Sequence, residues 1–368
     1  MYEWIDDSAE LQTWMAPRTA HATLSLDTEF MRTNTFVPKL ALIQLNIDGA
    51  IAVLDSPKLG AHEALAVRLR DPLSTCVMHS ASEDLEALAS IVPDGPAVLF
   101  DTQIAAALCG LGFGLSYQRI VALLLGIELP KSETRSDWLQ RPLSAAQLDY
   151  AAQDVEHLPE IHAQLAAKLA ERGRTQWLAE DCRRMIDRIR HTAPDLQPQR
   201  GYRAAADWPP INQAILRRLL LWREAAARQY DKPRSWLLDD AHALNLAERP
   251  PLTANELFER TKGLRALRSP QRAELFALLN EPPSAADLAI APIPSPLTST
   301  EKRAVAAMKD SVIAVAQELD IPEGLLCPRR HLETLVTDRA WPTALEGWRE
   351  PLLHERLMGL LPDLGARG

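Results

Sequence analysis

Apolar and polar positions alternate with a period of two through Leu24-Ser25-Leu26-Asp27-Thr28-Glu29-Phe30. That period predicts a β-strand, here over His21–Thr28. A second apolar run, Leu40–Ile47, is followed by Asp48-Gly49 and then by Ala50–Asp55. Two such runs around an Asp-Gly pair predict a β-hairpin. With the first strand they form a three-stranded antiparallel start. Gly60–Arg70 has helical spacing. Cys76–Ser80 reads as a short buried strand, and Ser82 stands where it can cap a helix over Glu83–Ile91. Val98–Asp101 is another short strand leading into a helix over Thr102–Cys109. Ser144, with Gln147 three residues on, opens a further helix by a capping box. Alternating strands and helices predict a layered α/β domain.

The pattern then becomes helical throughout. Trp177–Arg190 is amphipathic and basic. Thr192–Pro210 holds four prolines and no periodicity, which reads as a linker. Between Ile211 and Leu279, apolar residues such as Ile215, Leu216, Leu219, Leu220 and Trp222 recur at helical spacing. Lys232-Pro233-Arg234 and Pro250-Pro251 break the run, and Thr253 is placed to cap Asn255–Thr261. A second proline-rich stretch covers 281–299, and Thr300–Leu361 is helical again. The expected division is an α/β domain over 1–190, a linker over 191–210, and helical bundles over 211–290 and 291–368.

Composition adds little: 47% apolar and 24% charged residues are ordinary for a soluble globular chain. No apolar run is long enough to span a bilayer, and the acidic N-terminus lacks the basic start of a signal peptide. Cys76, Cys109, Cys182 and Cys327 form no CxxC pair, which suits a reducing compartment such as the cytoplasm and argues against a zinc site. Charge is more informative. Residues 1–182 carry 13 Lys and Arg against 25 Asp and Glu, residues 183–270 carry 17 against 10, and residues 271–368 carry 10 against 14. A basic middle between acidic flanks suggests a phosphate-tracking surface beside an acidic, metal-loaded site.

The candidate chemistry lies in the acids. Asp27 and Glu29 stand two apart on a strand and therefore project from one face. Two carboxylates so close repel unless a proton or a divalent cation sits between them. Asp84 falls in the first turn of its helix, where the helix dipole favours an acid. Tyr150 and Asp154 are four apart and share a helical face. Cleaving a phosphodiester builds negative charge on the attacking and leaving oxygens, and two divalent cations about 4 Å apart clamp both. Hard oxygen ligands suit Mg2+ or Mn2+.

Asp27, Glu29, Asp84 and Asp154, with Tyr150 four before the last, resemble the three motifs of the DEDD 3′–5′ exonuclease superfamily. Tyrosine at that place marks its DEDDy branch; the histidine of the sister branch would fall at Asp149. Leu115-Ser116-Tyr117, Lys131–Trp138 and Arg141-Pro142-Leu143-Ser144 extend the likeness to the bacterial ribonuclease D family, and the C-terminal helices resemble HRDC domains. The resemblance implies an α/β plus all-α architecture: an RNase H-like exonuclease domain, with a mixed sheet flanked by helices, followed by two small HRDC-type bundles. It implies a 3′–5′ exoribonuclease that uses two divalent ions, Mg2+ or Mn2+, and releases 5′-monophosphates. Asp27 would bridge both ions, Glu29 and Asp154 would hold the one that activates water, and Asp84 would serve the other. Tyr150 would orient the nucleophile, since a phenol of pKa about 10 is a poor base at neutral pH. Glu29 would also meet the terminal ribose hydroxyl.

Phe30 either lines the terminal base or is core, and the same choice holds for Leu88 as a wedge between bases. Lys131, Arg135 and Arg141 are either phosphate contacts or solvated cations. Gln44, in an apolar strand, is expected to satisfy a backbone group. The implied partner is RNA with a free 3′ end, chiefly tRNA precursors, met by a monomer without a membrane. Two other readings are a DNA 3′–5′ exonuclease and a non-catalytic RNA-binding scaffold.

Overall fold

The computed structural model describes residues 1–18, 22–130, 136–190 and 195–362. They divide into two compact units. The first comprises residues 1–31, 39–192 and 299–368, and the second residues 32–38 and 193–298.

The first unit is built on a six-stranded sheet of order β1-β4-β3-β2-β5-β6. Its strands are β1 (Tyr2–Ile5), β2 (Thr23–Met31), β3 (Lys39–Ile47), β4 (Ala50–Asp55), β5 (Thr75–Met78) and β6 (Val98–Asp101). The β2–β3 and β3–β4 pairs are antiparallel, and β1–β4, β2–β5 and β5–β6 are parallel. The Asp48-Gly49 hairpin forms as expected, with both residues at positive φ. β1 and α1 (Ser8–Met15) are new relative to the sequence reading. Four residues of mixed polarity leave too short a pattern to recognise, yet Ile5, Leu11, Trp14 and Met15 are all buried.

The remaining helices of this α/β layer are α2 (Ser56–Leu59), α3 (Glu63–Arg70), α4 (Ser82–Leu88), α5 (Thr102–Leu108), α6 (Tyr117–Leu125), α7 (Ala145–Glu156), α8 (Leu158–Glu171) and α9 (Thr175–Arg190). α7 packs on β2, β3 and β4, and α9 on β6. Leu24, Leu26, Leu42, Ile43, Leu45 and Leu54 are fully buried in the sheet. Each such side chain contributes roughly 1.5–3 kcal/mol, which holds β2 rigid beneath its two acids.

The second unit contains α10 (Pro210–Tyr230), α11 (Arg234–Leu237), α12 (Asp240–Glu248), α13 (Ala254–Thr261), α14 (Ser269–Asn280) and α15 (Ala285–Leu288). Thr253 caps α13 as expected, accepting from the Glu256 N–H. Leu216, Leu219, Leu246 and Leu275 form its core. Both proline-rich stretches are packed against it: Ala205 and Ile293 are buried in that core. The Gln213 amide ties them together, donating to the Ala206 and Trp208 carbonyls and accepting from the Ile293 N–H at 2.8 Å. Residues 32–38 also belong here, although they follow β2 in sequence. The Phe36 and Val37 N–H groups donate to Asp231, and the Phe36 ring lies against the Arg228 and Arg234 guanidinium groups.

The last helices are α16 (Ser299–Glu318), α17 (Glu323–Leu326), α18 (Arg329–Asp338) and α19 (Glu350–Met358). They belong to the first unit. Trp348 stacks on Trp177 of α9 with centroids 4.4 Å apart and planes 8° from parallel. This bundle is therefore part of the same packed body as the sheet.

Candidate active site

β2 delivers the first two acids. Asp27 faces Gln44 across the β2–β3 ladder and Glu29 faces Leu42, with a register shift immediately after Glu29. Such a bulge bends a strand and re-aims the side chains beside it. Asp84, in the first turn of α4, is 8% exposed. Thr28, between the two strand acids, donates its hydroxyl to Asp84 at 2.5 Å.

The expected cap on α4 is corrected by the structure. Ser82 lies one residue inside the helix, and the N-cap is Ala81, whose side chain has nothing to offer. Asp101, fully buried at the end of β6, does the work instead. One of its oxygens accepts from the Ala81 N–H at 2.8 Å, and the other caps α5 through Gln103 and Ile104. A single carboxylate thus aligns the starts of two helices and fixes where Asp84 emerges.

α7 delivers the remaining residues. Its Ser144–Gln147 capping box is formed as the sequence indicates. The Tyr150 hydroxyl and the Asp154 carboxylate are close enough for each to shift the other's proton affinity. Asp149 acts instead on the Tyr2 hydroxyl, whose pKa it raises. The far end of the helix is tied down by groups that sequence reasoning missed. Asn46 on β3 donates to the Val155 and Glu156 carbonyls at 3.0 and 3.1 Å. The Tyr117 hydroxyl accepts from the His157 N–H and donates to the Gln153 carbonyl, both at 3.1 Å. Carbonyls of a last helical turn have no partner within the helix, so these contacts fix the position of Asp154.

The acids act strongly on one another. Burial, then Asp84, Asp154 and Glu29, push the Asp27 carboxyl well above its ordinary range. Burial, Asp154 and Asp84 raise Glu29 to about 8. Asp154 is raised to about 7, chiefly by burial, with the Tyr150 hydrogen bond pulling the other way. Burial also lifts Asp84 to about 6 against the Thr28 hydrogen bond. Tyr150 is pushed up by burial and by Asp154, so its phenol stays protonated at neutral pH and can donate. Among the described residues no three acids, histidines or cysteines are already drawn together as a closed metal cage. Burial is the largest cause of each rise, and neighbouring acids add to it at Asp27, Glu29 and Asp154. An all-oxygen donor set with accumulated negative charge fits a hard divalent cation.

Phe30 is half-buried at the bulge beside these acids. Leu88 is 1% exposed and packs in the core, so the wedge reading is corrected. Lys131 and Arg135 lie outside the described residues. Arg141 is no phosphate contact, because its guanidinium is committed to Asp55. The Gln44 amide is fully buried and neither of its polar atoms has a hydrogen-bond partner among the described residues, against the expectation that it serves the backbone. His79 is structural, bridging the Thr102 hydroxyl at 2.9 Å and the Leu115 carbonyl at 3.0 Å. The basic middle is also less free than its charge count suggests. Arg218 pairs with Asp287, Arg223 with Asp240, Arg228 and Arg234 with Glu224, and Arg260 with Glu256.

A family model described as 3′–5′ exonuclease matches residues 2–170, and an HRDC domain model matches residues 212–267. The chain is 42% identical to ribonuclease D of Xanthomonas oryzae pv. oryzae, over 98% of this chain and 99% of that one. It is 30% identical to ribonuclease D of Escherichia coli K12, over 98% and 99%. The crystal structure of Escherichia coli RNase D, described as an exoribonuclease involved in structured RNA processing, superposes with a TM-score of 0.84 at 29% identity, covering 98% of each chain.

Proposed function

This chain belongs to the ribonuclease D family of 3′–5′ exoribonucleases, and on that premise we propose how its own residues do the work. The observation that carries the reading is the convergence of Glu29, Asp84 and Asp154 on Asp27 from one strand and two helices, all three raising the proton affinity of the buried Asp27 carboxylate. A folded protein tolerates that repulsion where a cation is to be held. Asp27, Glu29, Asp84 and Asp154 would hold two divalent cations, Mg2+ or Mn2+. Bound there, they would supply positive charge to the oxygens on which negative charge develops.

The terminal phosphodiester is hydrolysed by water. Water adds to phosphorus, the P–O3′ bond breaks, and a nucleoside 5′-monophosphate leaves an RNA shorter by one nucleotide with a new 3′-hydroxyl. Tyr150, protonated and close to Asp154, orients the nucleophile rather than deprotonating it. Glu29 meets the terminal ribose hydroxyl, which restricts cleavage to a free 3′ end, and Phe30 lines the terminal base. Lys131 and Arg135 contact substrate phosphates.

The substrates are tRNA precursors and other structured RNAs with short single-stranded 3′ tails. The chain acts as a cytoplasmic monomer. Among the described residues no helix is long and apolar enough to cross a membrane, and all four cysteines are free and buried. Residues 291–368 form a second, diverged HRDC-like module. Matched RNA and DNA oligonucleotides with 5′ labels test the substrate class. RNA shortened one nucleotide at a time, with DNA markedly slower, supports it. Equal rates on both would move the chain to a general 3′–5′ exonuclease.

A further inference from the structure

Asp55 ends β4 and is fully buried. A buried carboxylate demands a partner, and Arg141 supplies it with two parallel bonds of 2.8 Å, from Nε and Nη2. The same guanidinium donates through Nη2 to the Ala41 carbonyl at 3.2 Å, and through Nη1 to the Trp138 and Gln140 carbonyls at 2.7 and 2.9 Å. All five N–H donors of the arginine are thereby used. Neutralising Asp55 needs only two of them. The other three fasten the 138–141 backbone to the end of the sheet where β3 begins and β4 finishes.

That end of the sheet is also where the active site begins, because Leu42 pairs with Glu29 on one side and with Asp55 on the other. The clamped segment presents Trp138, 4% exposed, to the catalytic helix. The indole stacks on the Tyr150 ring with centroids 6.0 Å apart and planes 26° from parallel. A helical tyrosine has few allowed χ1 states, and a buried indole against one face of the ring narrows them further.

We propose that Trp138, held by the Asp55–Arg141 clamp, is a positioning residue that keeps the Tyr150 hydroxyl aimed into the site. The proposal rests on the reading of Tyr150 as the group that orients the nucleophile. A tryptophan that merely filled space would support folding and leave the tyrosine's contribution untouched.

A double-mutant cycle on the full chain separates the two. Single-turnover cleavage of a 5′-labelled RNA is measured for Trp138→Leu, Tyr150→Phe and the pair, with KM and melting temperature alongside. The expected result is a loss in kcat of roughly two- to tenfold for Trp138→Leu, the scale of one aromatic stack, at nearly unchanged KM. In the Tyr150→Phe background the same change costs almost nothing further, because residues that act as a unit are not additive. Trp138→Phe, which keeps a stacking ring, restores most of the rate. If Trp138→Leu does not fold, Trp138→Met, which keeps bulk without the plate, takes its place. An equal loss in both tyrosine backgrounds overturns the proposal while leaving the Tyr150 reading intact. No loss from Tyr150→Phe itself overturns that reading and this proposal with it.

Discussion

Arg349 and Asp181 form a two-pronged ion pair in which each side chain is only 9% exposed. Nη1 meets Oδ1 at 2.5 Å and Nη2 meets Oδ2 at 2.8 Å. The two residues are 168 positions apart, one on α9 of the nuclease layer and the other just before α19. The Trp348 indole donates to the same carboxylate and lies beneath the Arg349 guanidinium. The C-terminal bundle is thus joined to the nuclease layer by buried charge and stacked rings.

Removing Arg349 leaves the buried Asp181 carboxylate with only its longer ion pair to Arg184, at 3.6 Å. Arg349→Ala is expected to cost about 3 kcal/mol in the unfolding free energy of the first unit, the low end for a broken buried pair, by denaturant titration. A truncation that deletes the last bundle exposes the same carboxylate, together with Trp177. It should unfold the nuclease layer rather than merely weaken RNA binding. A truncated chain with an unchanged midpoint would contradict this joint.

Asp27→Asn and Asp154→Asn each remove a charged ligand while keeping shape. Both are expected to abolish turnover, a loss of at least about 10³-fold, while RNA affinity measured without turnover changes by only a few-fold. Turnover near the parent rate would remove these acids from the reaction.

Thr28 holds Asp84 by a 2.5 Å hydrogen bond that favours its charged form. Thr28→Val is isosteric but cannot donate. It should raise the divalent-ion concentration needed for half-maximal rate by roughly tenfold, the scale of one charge-assisted hydrogen bond, and Thr28→Ser should restore it. Equal metal dependence in the valine variant would mean that Thr28 only packs.

Glu29, Asp84 and Asp154 are raised to about 8, 6 and 7 in the folded chain, against about 4 for unfolded carboxylates. Between those limits the folded state binds more protons than the unfolded one, so this contribution favours folding at low pH and is lost as pH rises toward 8. In the presence of chelator the melting temperature should fall from pH 6 to 8.5. The fall should be shallower in Glu29→Gln and shallower still with saturating magnesium. The same slope in all three would detach the pKa shifts from the acidic site.

What was legible in the sequence was whatever local pattern encodes. Alternation placed β2, apolar runs placed β3 and β4, the Asp48-Gly49 turn joined the hairpin, and Ser144 with Gln147 marked the start of the helix that carries Tyr150 and Asp154. Ser82 misled because a serine near a helix start looks like a cap whether it sits at the cap or one residue inside. The partners that finish the site are remote. Asp55 and Arg141 are 86 positions apart, and Asn46 reaches a carbonyl 109 positions away. No periodicity connects such residues; only the folded sheet brings them together. The charge count misled for a related reason, since arginines that look free in sequence are spent on acids of the same unit.

The most direct test of the central claim is a time course on an RNA hairpin with a single-stranded 3′ overhang, labelled at its 5′ end. It is run with magnesium or manganese and again with chelator. The account predicts a ladder that shortens one nucleotide at a time, stops near the duplex and disappears with chelator. A folded protein that leaves the overhang intact with either metal, or cuts it internally in one step, would contradict it.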